Sequence, residues 1–386
     1  MIKGSKGLIR DLNTAAVIET IIKYAPISRI DIAKETGLTK STVSTIAQNL
    51  IDNGIVEETE TAGKNIGRKS IPLMLKSECG YAAAIEICRG TVRLMAFNMC
   101  GQKIYATKKL PYIDGALFET IKHAVDRCLL SLGQSDYGIT GICLSVDGIV
   151  KNNRIIYPPS YETPMRGLAD SLTEEYGLQV YIYNKANLAV LGENLYSIRT
   201  DNAALINVSN NINMGLISNG RLFTGIGGAA CSIGHMVIEA GGKPCPCGNR
   251  GCFNQYASVC AILDIVGERK NHAVNFESFC HLFNSNDKDA HLAAAYFIKY
   301  MSIGLKNVIN LYNPEIIVIN CPLTTYFDEI FLRLKNSLDA NKGILYRAML
   351  KDDAQFYGGA AVCITNFLKI ENFTPALCYF NRLKIL

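Results

Sequence analysis

The sequence predicts an α/β protein with a small helical head at its N-terminus. Three observations carry this. Residues 13–54 form short helical segments with capping residues before them and glycines after them. From Tyr81 onward, strand-like alternation runs into amphipathic helical stretches, and this ββ-then-helix pattern comes twice. Gly234–Cys252 gathers one histidine and three cysteines within nineteen residues.

The chain has 386 residues, enough for two or three domains with substantial cores. Hydrophobic residues make up 49% and charged residues 19%, which excludes a disordered protein. No apolar run reaches the roughly 18 residues that a membrane span needs. The start, MIKGSKGLIRDLN, has no apolar core before a small-residue cleavage site. A cytoplasmic protein with no membrane partner is expected. Cys88, Cys143 and Cys321 lie in apolar strand-like runs and are expected to be core thiols in a reducing compartment. Net charge is +5; residues 1–76 hold eleven Lys and Arg against eight Asp and Glu, so +3 of it sits in the first fifth of the chain. That excess is compatible with a nucleic-acid module.

The head is taken first. Ala16, Ile18, Ile21 and Ile22 make a helical stripe over Asn13–Tyr24, which Pro26 ends. Ser28 with Asp31 resembles a capping box, although Asp reaches back less well than Glu. Gly37 closes that helix. Thr39 caps the next, whose apolar face is Val43, Ile46, Leu50 and Ile51, and Gly54 ends it. Two short helices joined at Gly37 form a helix-turn-helix. The second helix presents small polar residues, of the kind that reach phosphates through hydroxyls and bases through Gln or Thr. The candidate DNA contacts here are Ser28, Arg29, Lys40, Ser41, Thr42, Ser44, Thr45 and Gln48. After Gly54, alternating segments flank AGKNIGRKS and predict a hairpin with Lys64, Arg68 and Lys69 at its tip. A basic hairpin there makes a wing that reaches backbone phosphate or minor groove. Glu57, Glu58 and Glu60 are expected to face away from DNA.

In the body, AAAIEI, GTVRLMAFNM and KIYATKKL alternate like a hairpin-rich sheet. Ala116–Leu132 is an amphipathic helix. GITGICLSVDGIVKNN gives a buried strand and turn, and QVYIYNKANLAVLGENLY a strand entering a helix near Asn184. AALINVSNNINMGLISNGRLFTG supplies two more strands. Leu292–Leu311 is a long helix, NPEIIVINC a buried strand, and Phe327–Leu338 and Tyr357–Phe367 are helices. The tail after Ile370 has no clear periodicity.

The Gly234–Cys252 stretch reads GHMVIEAGGKPCPCGNRGC. His235, Cys245, Cys247 and Cys252 supply a complete tetrahedral donor set, with Gly and Pro suited to the tight turns between them. Three soft thiolates favour Zn2+ over magnesium or calcium, and four protein ligands leave no open position, so the zinc is expected to be structural.

The same stretch resembles the signature of the ROK family, a group of repressors and sugar kinases, in which glycine-histidine precedes CPCGNRGC by about nine residues. SRIDIAKETGLTKSTVSTIAQNLIDNGIVEE followed by GRKS resembles the DNA-binding region of ROK repressors, which family kinases commonly lack. The resemblance runs from about Leu8 to about Cys363. It implies a winged helix-turn-helix over residues 10–76, then a two-lobed actin-like, sugar-kinase-like ROK domain over residues 77–370 with a zinc-bound loop. In that fold a sugar and a nucleotide meet between the lobes.

Against the family's kinase pattern this chain departs at four segments. The first phosphate turn, of Asp-x-Gly-Gly-Thr type, is Glu86-Ile87-Cys88-Arg89-Gly90-Thr91 here. The second, glycine-rich in the family, is Ser209-Asn210-Asn211-Ile212-Asn213-Met214-Gly215. Asn320-Cys321 replaces a double glycine. Asn184-Lys185-Ala186-Asn187 replaces Asn-Asp-x-Asn, so Lys185 stands at the catalytic aspartate. A lysine there cannot take the substrate proton without a greatly depressed pKa. Ser232 and Asn254 stand where family members have glutamates, and Asp147 precedes Gly148 in place of proline. The candidate effector contacts are Asn184, Lys185, Asn187, Ser232, His235 and Asn254, with Lys185 available to pair with an anion.

The resemblance therefore implies a regulator of carbohydrate-related genes, a repressor on operator DNA, whose inactive ROK domain senses a sugar or sugar phosphate; two-headed DNA recognition implies a homodimer or higher homo-oligomer. Two alternatives stay open: an active sugar kinase with a fused DNA-binding head, and a ligand-independent DNA-binding regulator.

Overall fold

The first helix is longer than its apolar stripe. It runs Lys6–Tyr24, seven residues beyond the expected Asn13 start, and its added turns carry Leu8, Ile9 and Leu12 about half exposed. Those positions do not continue the buried stripe of Val17, Ile18 and Ile21, so periodicity does not mark them. A computed structural model describes residues 6–59, 71–113, 115–157, 165 and 167–375. The wing tip, with Lys64, Arg68 and Lys69, lies outside them, as does Glu60.

The two capped helices fall where their punctuation puts them. Arg29–Thr36 opens on Ser28, whose hydroxyl oxygen accepts the Asp31 N–H, and closes on Gly37 at φ +69°. The capping box differs in one detail: the Asp31 carboxylate accepts a hydrogen bond from the Ser28 hydroxyl at 2.7 Å, since its short side chain bonds the hydroxyl instead. Lys40–Asp52 opens on Thr39, whose hydroxyl accepts the Thr42 N–H. Its buried face is Val43, Ile46, Ala47 and Leu50, each large aliphatic contributing about 2 kcal/mol of burial. Ile51 is only half-buried. The wing strands Val56–Glu58 and Pro72–Leu75 pair antiparallel, and Ile27–Ser28 adds a third strand to them.

Beyond the head come two sheets of one design. In the first, Lys103–Ala106, Thr91–Asn98 and Tyr81–Cys88 run antiparallel, and Ile139–Val146 and Val180–Asn184 follow Tyr81–Cys88 in parallel. In the second, Arg221–Leu222, Ile212–Ser218 and Ala203–Val208 are antiparallel, and Ile316–Asn320 and Leu345–Arg347 follow in parallel. The ββ-then-helix repeat in the sequence is this shared topology. The predicted helices appear at Leu117–Ser131, Lys185–Glu193, Lys288–Tyr312, Asp328–Asn336 and Ala354–Leu368. Further helices at Leu168–Tyr176, Val259–Lys270 and Phe276–Asn284 were not foreseen.

The chain divides into two compact units. One holds the described residues up to Leu188, with Leu195–Ser197 and those from Gln355 on; the other holds Ala189–Asn194 and Ile198–Ala354. The head shares the first unit with the first sheet. Tyr137 donates its hydroxyl to Asn53 O at 2.8 Å, and Lys76 pairs with Asp136 at 2.7 Å. The Glu19 carboxylate accepts the N–H groups of Glu371 and Asn372, so the start of the tail is tied to the first helix. Cys143 and Cys321 are buried, as core thiols should be, and Cys88 is half-buried. No helix among the described residues is long and apolar enough to cross a membrane.

Candidate functional site

The polar face of the Lys40–Asp52 helix is built by its buried face. With Val43, Ile46, Ala47 and Leu50 turned inward, Lys40, Ser41, Ser44, Thr45 and Gln48 are exposed and Thr42 is half-buried. The hydroxyls divide. Thr42 and Ser41 both bond the Thr39 hydroxyl, at 2.8 and 2.9 Å, so they also serve the helix start. Thr45 donates back to Ser41 O. Arg29 and Gln48 meet: an Arg29 Nη2 proton reaches Gln48 Oε1 at 3.4 Å and Glu58 Oε1 at 3.0 Å. Glu58 pairs with Arg29, itself a candidate contact, because strand pairing opposite Leu73 sets it beside that guanidinium. The Ser28 hydroxyl donates to the Asp31 carboxylate, whose pKa sits below the usual carboxylate range, held there first by Ser28 and then by Lys34.

In the second unit, His235, Cys245, Cys247 and Cys252 converge. Their ligand atoms all lie within 4.8 Å of one another, a spacing one metal ion can bridge. Two short antiparallel bridges, Val237 with Cys252 and Pro244 with Arg250, bend the loop into place. Gly251 has φ +81°, and a Cβ there would lie 1.8 Å from Glu239 O. His235 Nδ1 faces Cys245 Sγ at 3.7 Å, which leaves Nε2 on the far side of the ring. Lys243 N donates to the Tyr256 hydroxyl, and Tyr300 donates to Glu239, so neighbouring helices hold both arms of the loop. The thiol of Cys247 lies below its ordinary value, held there chiefly by the Asn249 N–H and by Cys245.

The candidate effector residues are placed unit by unit. In the first, Asn184 caps the Lys185–Glu193 helix: its carbonyl accepts the N–H groups of Ala186 and Asn187, and its amide donates to Gly148 O at 2.7 Å. Asn187 is buried. Lys185 Nζ lies 2.5 Å from Glu86 Oε1, whose carboxylate also accepts from Gln355 Nε2 at 2.9 Å. Burial draws the lysine pKa down, but Glu86 first, then Cys88 and Asp147, outweigh it and the net shift is upward. The ammonium is therefore a fixed cation. The anion it pairs with is the protein's own Glu86. Burial pushes Asp147 up, Lys185 opposing and Glu86 adding. In the second unit, Ser232 is exposed and donates to Ala229 O. Asn254 is buried and its carbonyl accepts the Ile212 N–H at 2.7 Å. The Asn320 amide donates to both Asn207 and Asp352.

Sequence reasoning did not foresee the partners of Asp52 and Glu58. Asp52 accepts from Gln48 Nε2 at 2.9 Å. A carboxylate at the last residue of a helix is misplaced for the helix dipole, and that was its signal.

A winged head with an open polar helix, ahead of two sheets of one topology, defines a DNA-binding regulator on a sugar-kinase-like body. The ROK family pattern matches residues 82–356, and a winged helix-turn-helix DNA-binding pattern matches residues 10–57. The chain belongs to the ROK family. It is 28% identical over 377 residues to the xylose repressor of Bacillus subtilis, covering 93% of this chain and 97% of that one. A crystal structure of a ROK family transcriptional regulator, a homolog of E. coli MLC protein, superposes with a TM-score of 0.80 at 23% identity, over 93% of this chain and 97% of that one. The ROK hexokinase of Thermus thermophilus superposes with a TM-score of 0.63 at 20% identity, over 73% of this chain and 97% of that one.

Proposed function

We propose that the protein is an operator-binding repressor of carbohydrate-related genes, responsive to a sugar, with no phosphoryl-transfer activity. The observation that carries this is the exposed face Ser41, Ser44, Thr45 and Gln48 on a capped helix of the winged head. Lys40, Ser28 and Thr42 flank it, and Lys64, Arg68 and Lys69 of the wing add phosphate contacts. The relationship to a xylose repressor supports a sugar as effector.

Support for an inactive body comes from Lys185. A lysine held charged beside Glu86 supplies no base for a sugar hydroxyl. The same ion pair favours a neutral sugar over a sugar phosphate, because Lys185 already has its anion. Asn184, Lys185 and Asn187 of the first unit and Ser232, His235 and Asn254 of the second remain the candidate effector contacts. The His235–Cys245–Cys247–Cys252 set fits structural Zn2+ in its donor chemistry, and a bound zinc fastens the loop that carries His235. One head gives too little affinity for an operator, so the working form is a homodimer in the cytoplasm.

The test is binding of the full-length, zinc-loaded protein to its own upstream DNA at fixed salt, with a panel of sugars and sugar phosphates. Specific binding changed by one neutral sugar is expected. Specific binding indifferent to every compound favours a ligand-independent regulator, which has an observation behind it: the Asn184 and Asn254 carbonyls are already bonded to backbone. ATP turnover with any sugar of the panel overturns the inactive body.

A further inference from the structure

The Lys40–Asp52 helix ends on an acid. The partial negative charge of a helix C-terminus disfavours a carboxylate there. Glu58, in the first wing strand, is a second exposed acid on the same head. Both weaken attraction to a polyanion, and neither is required by the packing of the head.

What they share is a chain of contacts. Glu58 Oε1 accepts from Arg29 Nη2 at 3.0 Å, the same nitrogen reaches Gln48 Oε1 at 3.4 Å, and Gln48 Nε2 donates to Asp52 Oδ1 at 2.9 Å. At Gln48 the two contacts are of opposite kind. Its carbonyl faces a cation and its amide nitrogen faces an anion. A solvated glutamine amide turns over freely. Here a turn of the amide would set NH2 against Arg29 and the oxygen against Asp52, two repulsive contacts in place of two attractive ones.

We propose that Asp52 and Glu58 are positioning residues for sequence recognition. Together with Arg29 they fix the Gln48 amide so that it offers one acceptor lone pair and one N–H in a set order. That pair is the complement of adenine in the major groove, which presents an N6 donor beside an N7 acceptor. Arg29 then serves the amide more than it serves phosphate. The proposal rests on the assignment of the Lys40–Asp52 helix as the DNA-contacting helix.

The experiment starts from a randomised duplex pool, from which full-length protein selects its preferred site. Each base pair of that site is then substituted, and affinities are measured at fixed salt for wild type, Gln48→Ala, Asp52→Asn, Glu58→Gln and the Ser44→Ala/Thr45→Ala pair. Gln48→Ala is expected to flatten an A·T preference at one position per half-site by about 5- to 100-fold. Asp52→Asn removes one of the two contacts that hold the amide, since Asn accepts and donates equally, and leaves Arg29 alone to oppose a turn. It is expected to lower discrimination at that same position several-fold, by raising affinity for the mismatched duplex, with the other positions unchanged. Glu58→Gln should act in the same direction and more weakly. A merely structural role for Asp52 would shift matched and mismatched affinities together. Unchanged discrimination in Asp52→Asn, a position that prefers G·C, or no single position flattened by Gln48→Ala each overturns the proposal. Wild-type affinity and preferences in the Ser44→Ala/Thr45→Ala protein would instead sink the assignment of the helix itself.

Discussion

The metal loop of the second unit and the Glu86–Lys185 cluster of the first solve opposite problems. In the loop, four side chains that could hold a metal converge within 4.8 Å. In the cluster, Lys185 stands 2.5 Å from Glu86, which lies two strands away in the same sheet from the strand that leads into the lysine's helix. The difference is one of tolerance. A tetrahedral thiolate site cannot lose one ligand and keep its metal affinity. A buried charge can be reversed, provided a partner of opposite sign stands beside it. A converging donor set depends on every member, whereas a buried ion pair depends only on its two charges matching.

The strongest way to break this comparison is to remove a metal ligand. Cys252→Ser, or stripping by a chelator, is expected to lower the melting temperature by on the order of 10 °C and to release one zinc per chain. Metal analysis beside a thermal melt checks it; an unchanged melt would make the loop no more essential than the cluster. Gly251→Ala tests the loop's geometry without touching a ligand. Its φ of +81° and the 1.8 Å approach to Glu239 O predict a loss of about 2–4 kcal/mol and a faster zinc off-rate. Lys185→Met comes next. It strands the Glu86 carboxylate, 7% exposed, and should cost about 1–3 kcal/mol, discounted because the lysine itself is 32% exposed. Adding Glu86→Gln should restore most of that loss; a double variant as unstable as the single one would show that packing, not charge, is at stake.

The smallest effect is a pH effect. Burial raises the Asp147 pKa, with Glu86 adding and Lys185 opposing. The folded state thus holds that proton more tightly than the unfolded state. Its contribution to stability is present below the ordinary carboxylate value of 3.8 and is lost as pH rises through the raised value. Asp147→Asn should therefore raise the melting temperature slightly near neutrality, on the order of 1 °C, and flatten its dependence on pH in the acidic range. Melts at several pH values decide it.

Much of this was legible along the chain. Ser28, Gly37, Thr39 and Gly54 punctuate the head because caps and left-handed turns are local requirements, satisfied by residue type at a fixed offset. The convergence of His235, Cys245, Cys247 and Cys252 was legible for the same reason: short spacing in a turn-rich frame leaves few ways to arrange them. The repeated ββ-then-helix rhythm foretold two sheets, and pairing supplied only their order. What the tertiary structure alone decided are partnerships across long sequence separations. Glu86 meets Lys185 and Gln355 because parallel strands and the last helix bring together residues 99 and 269 positions apart along the chain. Glu58 meets Arg29 because Ile27–Ser28 and Val56–Glu58 both pair with Pro72–Leu75, and the first of these pairings has no local signal. Charge and hydrogen bonding are set by neighbours in space, and a sequence names the groups without saying which ones will stand beside each other.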